Sequence, residues 1–76
     1  MDWRDRIVAD PNVLVGKPVV KGTRISVELV MDLLAGGYTP EQILRQYDHL
    51  ALDDIHACAA YAREVIHSER MFAVKR

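Results

Sequence analysis

The 76-residue chain has one cysteine, Cys58, so it can form neither an intramolecular disulfide nor a cysteine-based metal site. Long apolar runs are also missing, and none approaches the ~20 residues of a membrane span. No signal peptide is expected, because Asp2, Arg4, Asp5 and Arg6 break any early apolar region, and the cytoplasm is the expected compartment. A strong excess of one charge is absent, since the net charge is −1. The bulk composition is therefore not that of a nucleic-acid binder. His56 and His67 are too far apart to share a metal on one helix, and His49 falls in a turn, so no metal site is expected.

Two catalytic patterns are missing as well. Gly16 to Thr23 resembles a phosphate loop only superficially, because Lys21 precedes Gly22 and Thr23 follows it directly. No cluster of acids suits metal-dependent nuclease work, and Asp53-Asp54 reads as a helix start. The expectation is a protein that is not an enzyme and needs no cofactor.

Apolar residues are plentiful, at 50% of the chain. A chain this short buries only about 60% of its unfolded surface, so such a content points to apolar surface shared with a partner or a second copy. Charge is unevenly spread. Residues 1–25 carry five cations and three acids, whereas residues 26–76 carry five cations and eight acids. Contact with phosphate is thus expected to begin in the N-terminal part.

A single domain over residues 1–76 is expected: a lead-in and β-ribbon over 1–25, a trihelical part over 26–68 and a tail over 69–76. Residues 1–6 read as a loose lead-in. Ile7-Val8-Ala9, Val13-Leu14-Val15 and Pro18-Val19-Val20 read as short extended pieces, with turns at Asp10-Pro11-Asn12 and Lys21-Gly22. Such a ribbon is weak alone and must pack on helices or pair with another chain.

The spacing predicts three helices. Ser26 caps the first, with Ile25 and Val30 as its hydrophobic staple and Gly36-Gly37 as its stop. Thr39, Pro40 and Gln42 open the second with a capping box; it ends near Tyr47 and buries Ile43, Leu44 and Tyr47. The third runs from about Leu52 to about Ser68, with Leu52, Ile55, Ala59, Ala62 and Ile66 as its apolar stripe and Cys58 and Val65 beside it. Ala51 is a poor cap, which leaves Asp53 and Asp54 to serve the first-turn amides. The expected fold class is mainly α, with a short second helix and a brief connection before a longer third, as in a helix-turn-helix.

Several of these motifs belong together. Gly16-Lys17-Pro18-Val19-Val20-Lys21-Gly22-Thr23-Arg24-Ile25-Ser26-Val27 resembles the signature of the domain-of-unknown-function 433 family. So do Gly37-Tyr38-Thr39-Pro40-Glu41-Gln42-Ile43-Leu44, Tyr47, Leu50, Asp54-Ile55 and Ala59-Ala60-Tyr61-Ala62, and the match covers roughly residues 5 to 67. The resemblance implies a small bacterial protein with a homeodomain-like trihelical fold. It also implies an antitoxin, encoded beside a PIN-like ribonuclease toxin. The chain departs from the family pattern at Asp48, where a proline is common, and at Ala51, where a threonine commonly caps the third helix. Both departures should loosen the turn between helices two and three, the lost cap costing ~1 kcal/mol.

The candidate binding residues are Lys17, Lys21, Arg24, Arg63 and His56. Lys17, Lys21 and Arg24 form the densest positive charge and suit phosphates or an acidic partner. The plainer alternative pairs Arg24 with Asp10, Glu28 or Asp32 and turns Thr23 onto local backbone. His56, Arg63, His67 and Arg70 form a stripe opposite the apolar one, a candidate base-reading face with Arg63 at its centre. Against this stands a merely solvated face whose neighbours Asp53, Glu64 and Glu69 repel phosphate. Gly16, Pro18, Gly22, Thr23, Ser26, Thr39 and Pro40 are expected to be structural. Cys58 is expected to be a small buried hydrophobe. A homodimer is expected from the ribbon's unpaired edges. The expected partners beyond a second copy are a PIN-like toxin and DNA, with a protein-interaction module lacking any DNA role as the alternative.

Overall fold

Three-residue strands set the limits of the N-terminal part. In a computed structural model that describes residues 2–69, β1 (Ile7–Ala9) pairs antiparallel with β2 (Pro18–Val20). The register places Ile7 opposite Val20, Val8 opposite Val19 and Ala9 opposite Pro18. Pro18 opens its strand, where a missing amide donor costs least. The other edge of β2 is touched by a single bridge, Val19 to Ser26.

Val13-Leu14-Val15 is not the extended piece expected. Val13 is extended, but Leu14, Val15 and Gly16 have φ of 50°, 55° and 80° and wind one left-handed turn. That turn is closed by Gly16 N–H to Val13 O at 3.1 Å and Lys17 N–H to Leu14 O at 3.2 Å. The β1–β2 register explains it: the chain must reverse between Ala9 and Pro18, and among the described residues there is no third strand for these residues to join.

The helices begin where their caps predict. In α1 (Val27–Ala35), the Ser26 hydroxyl accepts from Leu29 N–H at 2.9 Å, and the staple residues Ile25 and Val30 are both buried. The left-handed stop falls on Gly37, with φ of 100°. Tyr38 N–H then reaches Leu33 O and Gly37 N–H reaches Leu34 O, each at 3.0 Å, which is a Schellman ending. In α2 (Pro40–Gln46), Thr39 and Gln42 form the full capping box. After five intervening residues α3 (Leu52–Ser68) begins, the connection held by Leu50 N–H to Tyr47 O at 3.0 Å and by the buried Leu50 side chain.

One core spans ribbon and helices. Ile7 and Val20 share it with Ile25, Val27, Val30, Ile43, Leu50, Ile55, Ala57 and Cys58, and Ile43 is fully enclosed. The architecture is the expected one, three helices behind a short two-stranded ribbon.

α3 is rotated from its expected setting. Ile55 is buried, but Ala59 is exposed, and so are Leu52 at 46% and Ile66 at 64%. The buried line runs through Asp54, Ile55, Ala57 and Cys58 to the half-buried Tyr61 and Ala62. The cause is the N-terminal segment, which is not a loose lead-in. Trp3–Asp5 forms a 3₁₀ turn capped by Asp2, whose carboxylate accepts Arg4 N–H at 3.0 Å; that bond holds the carboxyl below its ordinary pKa. Trp3 then packs edge-on to Tyr61, with ring centroids 4.9 Å apart at 81°. From residue 70 onward the expected tail, Arg70 included, lies outside the described residues.

Candidate nucleic-acid interface

The expected basic cluster splits in two. Lys17 Nζ donates to Glu28 Oε1 at 2.9 Å, across to the first turn of α1. That bond, and the charge of Glu28, raise the Lys17 pKa. Lys21 and Arg24 instead sit on a four-residue loop, 21–24, closed by Val20 N–H to Ile25 O at 2.9 Å. Gly22, with φ of 79°, makes the turn possible. Thr23 fixes it from inside: its hydroxyl donates to Val20 O at 2.8 Å and accepts Ile25 N–H at 2.9 Å. Lys21 and Arg24 are exposed at the tip.

Arg24 does not take the plainer role. Among the described residues it makes no ion pair, and Glu28 is already held by Lys17. Lys21 lies near the start of α3, lining a pocket of about 360 Å³ with Asp5, Arg6 and Asp54. Its backbone N–H donates to Arg6 O at 2.7 Å.

The outward face of α3 carries His56, Arg63 and His67, all exposed as expected. Leu52 and Ala59 join them, at helical spacing of three and four. Two of the three acids expected to spoil this face for phosphate are otherwise engaged; Glu69, past the end of α3, has no ion pair among the described residues. Glu64 Oε1 accepts from Arg4 Nη2 at 3.0 Å, and Asp53 Oδ2 lies 3.6 Å from Arg6 Nη2. Arg4 also lies over the Trp3 ring, 4.6 Å from its centroid. The N-terminal segment therefore lays two arginines along the acidic flank of α3.

Arg6 has a second task. Its Nη1 donates to Asp54 Oδ1 at 2.9 Å, while Asp54 Oδ2 accepts Ala51 N–H at 2.8 Å. The buried carboxylate thus has a donor on each oxygen and serves the helix start that Ala51 cannot cap with a side chain of its own. Sequence reasoning missed Arg4 and Arg6, whose partners are 60 and 48 residues away. Cys58 is enclosed as expected, and burial, aided by the Asp54 charge, pushes its thiol up to about 12. Among the described residues no three of His, Cys, Asp and Glu are grouped to hold a metal. None of the described helices is long and apolar enough to cross a membrane.

Gly16 to Val27 and Thr39 to Ile43, the stretches that build the ribbon, the basic loop and the two caps, fall inside a region, residues 7–62, that matches the family described as protein of unknown function DUF433. The chain belongs to this family. The chain is also similar to the uncharacterized protein y4eO of Sinorhizobium fredii (strain NBRC 101917 / NGR234), 34% identical over 59 residues. That alignment covers 78% of this chain and 27% of y4eO, so the chain spans about a quarter of the curated relative it matches. No solved structure matches the chain.

Proposed function

We propose that this protein is the antitoxin of a type II toxin–antitoxin pair, neutralising a PIN-like ribonuclease by direct binding and binding DNA to regulate its own operon. Its part is binding, with no catalytic role, as a homodimer. The toxin half of the reading rests on the family resemblance. The observation that carries the DNA half is the outward face of α3. His56, Arg63 and His67 share it with no acid between them, and the flanking Asp53 and Glu64 are paired with Arg6 and Arg4. A helix following a short helix and a brief connection is the element that enters the major groove in helix-turn-helix proteins, and Arg63 is placed to read a base edge there. Arg24, unpaired among the described residues, and Lys21 would add phosphate contacts from the loop.

A second reading is favoured by one observation. Leu52 and Ile66 are exposed on the same side of α3 as Arg63, and a mixed apolar and basic face also fits an acidic protein groove. On that reading the helix-turn-helix geometry has no DNA role. Purification of the tagged protein from its native cells tests both, with copurified protein and nucleic acid identified. A small ribonuclease together with upstream DNA is expected. The ribonuclease alone favours the second reading, and recovery of neither ribonuclease nor DNA would contradict the antitoxin assignment.

A further inference from the structure

The outward face of α3 has two different borders. Asp53 and Glu64 are eleven positions apart, about three helical turns, so they stand in one line beside His56 and Arg63. The opposite border, at Ala59 and Ile66, is apolar, and Ile66 also forms the lip of an apolar groove of about 320 Å³ between the start of α1 and the last turns of α3. The N-terminal segment, residues 2–6, lies along the acidic border, where Arg4 Nη2 meets Glu64 at 3.0 Å and Arg6 Nη2 meets Asp53 at 3.6 Å. Its own charge is balanced, Asp2 and Asp5 against Arg4 and Arg6, so its contribution is placement. Asp2 is the looser partner of Arg4, with Oδ1 3.4 Å from Nη1.

We propose that Arg4 is a positioning residue for DNA binding: by neutralising Glu64 beside Arg63, it governs how strongly this face holds phosphate. The inference rests on the DNA reading above and adds to it a residue outside both α3 and the 21–24 loop. Folding gains little from the Arg4–Glu64 pair, because the two side chains are 61% and 54% exposed. Arg4 is nonetheless held in place by more than the pair. Its guanidinium lies over the Trp3 ring, and Trp3 is itself packed on Tyr61, three residues before Glu64 on the same helix. The aromatic platform thus aims a cation at a carboxylate that adds little to stability and stands next to the candidate base-reading arginine. Adjacent Cα atoms are 3.8 Å apart, so a bare Glu64 would lie within the Debye length, about 10 Å at 0.1 M salt, of a phosphate near Arg63 and would repel it. Arg6 cannot be separated in this way, because it also holds the buried Asp54.

Anisotropy of a labelled duplex from the upstream DNA, at about 50 mM salt, tests this. Arg4→Ala should weaken binding roughly fivefold, and Glu64→Gln should tighten it by a similar factor. The double variant Arg4→Ala/Glu64→Gln should return to the wild-type affinity. Arg4→Ala/Asp32→Asn makes the same change in net charge at an exposed position of α1 and should stay weak. Arg4→Lys keeps the charge and should bind within about twofold of the wild type. Trp3 is the only tryptophan, so its fluorescence reports whether the segment stays against Tyr61 in each variant. Should Arg4→Ala release it, Glu64→Gln alone decides, with unchanged affinity overturning the proposal. No binding by the wild type would overturn the DNA reading and this inference with it. Wild-type binding that Arg4→Ala leaves unchanged would overturn the role of Arg4 alone. So would a loss that Glu64→Gln does not restore, or that Asp32→Asn restores equally.

Discussion

The two ends of α3 are held by opposite means. Its first turns are enclosed: Asp54, Ile55, Ala57 and Cys58 are buried, and Arg6 and the Ala51 amide both bond the Asp54 carboxylate. Its last turns stand open. Val65 and Ile66 are exposed, and what faces them across the groove is the start of α1 with Lys17 and Pro18. The same helix thus spends one end on folding and leaves the other available for contact. A buried carboxylate needs its partners, whereas an exposed valine or isoleucine loses nothing until something covers it.

The largest effect should come from Arg6→Ala, which leaves Asp54 buried with a single amide donor. A loss of about 2 kcal/mol is expected, below the ~3–5 kcal/mol of a fully buried pair because Arg6 keeps a third of its side chain in water. Urea unfolding checks it, and a loss indistinguishable from that of Glu64→Ala would erase the contrast between the two ends. The reverse change is available at the same site. Ala51 already has extended backbone and receives the carboxylate half of a capping box, so Ala51→Ser should complete it and add about 1 kcal/mol. Glu64→Ala, nearer the open end, breaks a pair exposed on both sides and should cost under about 0.5 kcal/mol by the same measurement.

Cys58 reports the enclosed end without a stability measurement. Its folded pKa of about 12 lies above the ordinary thiol value of 9.0, so the folded state holds the proton more tightly than the unfolded one. The resulting stability is intact below pH 9.0 and is lost as pH rises toward about 12. At pH 8 (about one unit below an ordinary thiol) a disulfide reagent should therefore modify Cys58 only through opening of the core, and faster in Arg6→Ala. Rapid modification of the folded wild type would show that the first turns of α3 are not closed.

Elements governed by neighbouring residues were legible in the sequence. Ser26, the Thr39–Gln42 box and Gly37 act on amides and carbonyls a few positions away, so the helix ends follow from them. The rotation of α3 was not legible, because a hydrophobicity pattern assigns Asp54 to solvent and cannot foresee Arg6 arriving from 48 residues earlier. Trp3 was the available hint, a large apolar side chain in a chain with little surface to spare. The left-handed turn at Leu14 and Val15 had no local sign beyond Gly16, since neither residue type favours that conformation. At the candidate interface, the exposed positions of His56 and Arg63 followed from helical spacing, whereas Lys21 and Arg24 were legible only as charge beside a turn at Gly22. The pairing of Asp53 and Glu64 with the N-terminal arginines, which changes how that face meets phosphate, was not legible.

The most direct measurement is fluorescence anisotropy of a labelled duplex from the DNA upstream of the coding sequence, titrated with wild type, Arg63→Ala and Arg24→Ala across a salt series. The expected result is specific binding whose logarithm falls linearly with that of salt, a loss of sequence preference in Arg63→Ala and a shallower salt slope in Arg24→Ala. The absence of binding at low salt, or binding that neither substitution alters, would contradict the assignment of α3 and the 21–24 loop to DNA.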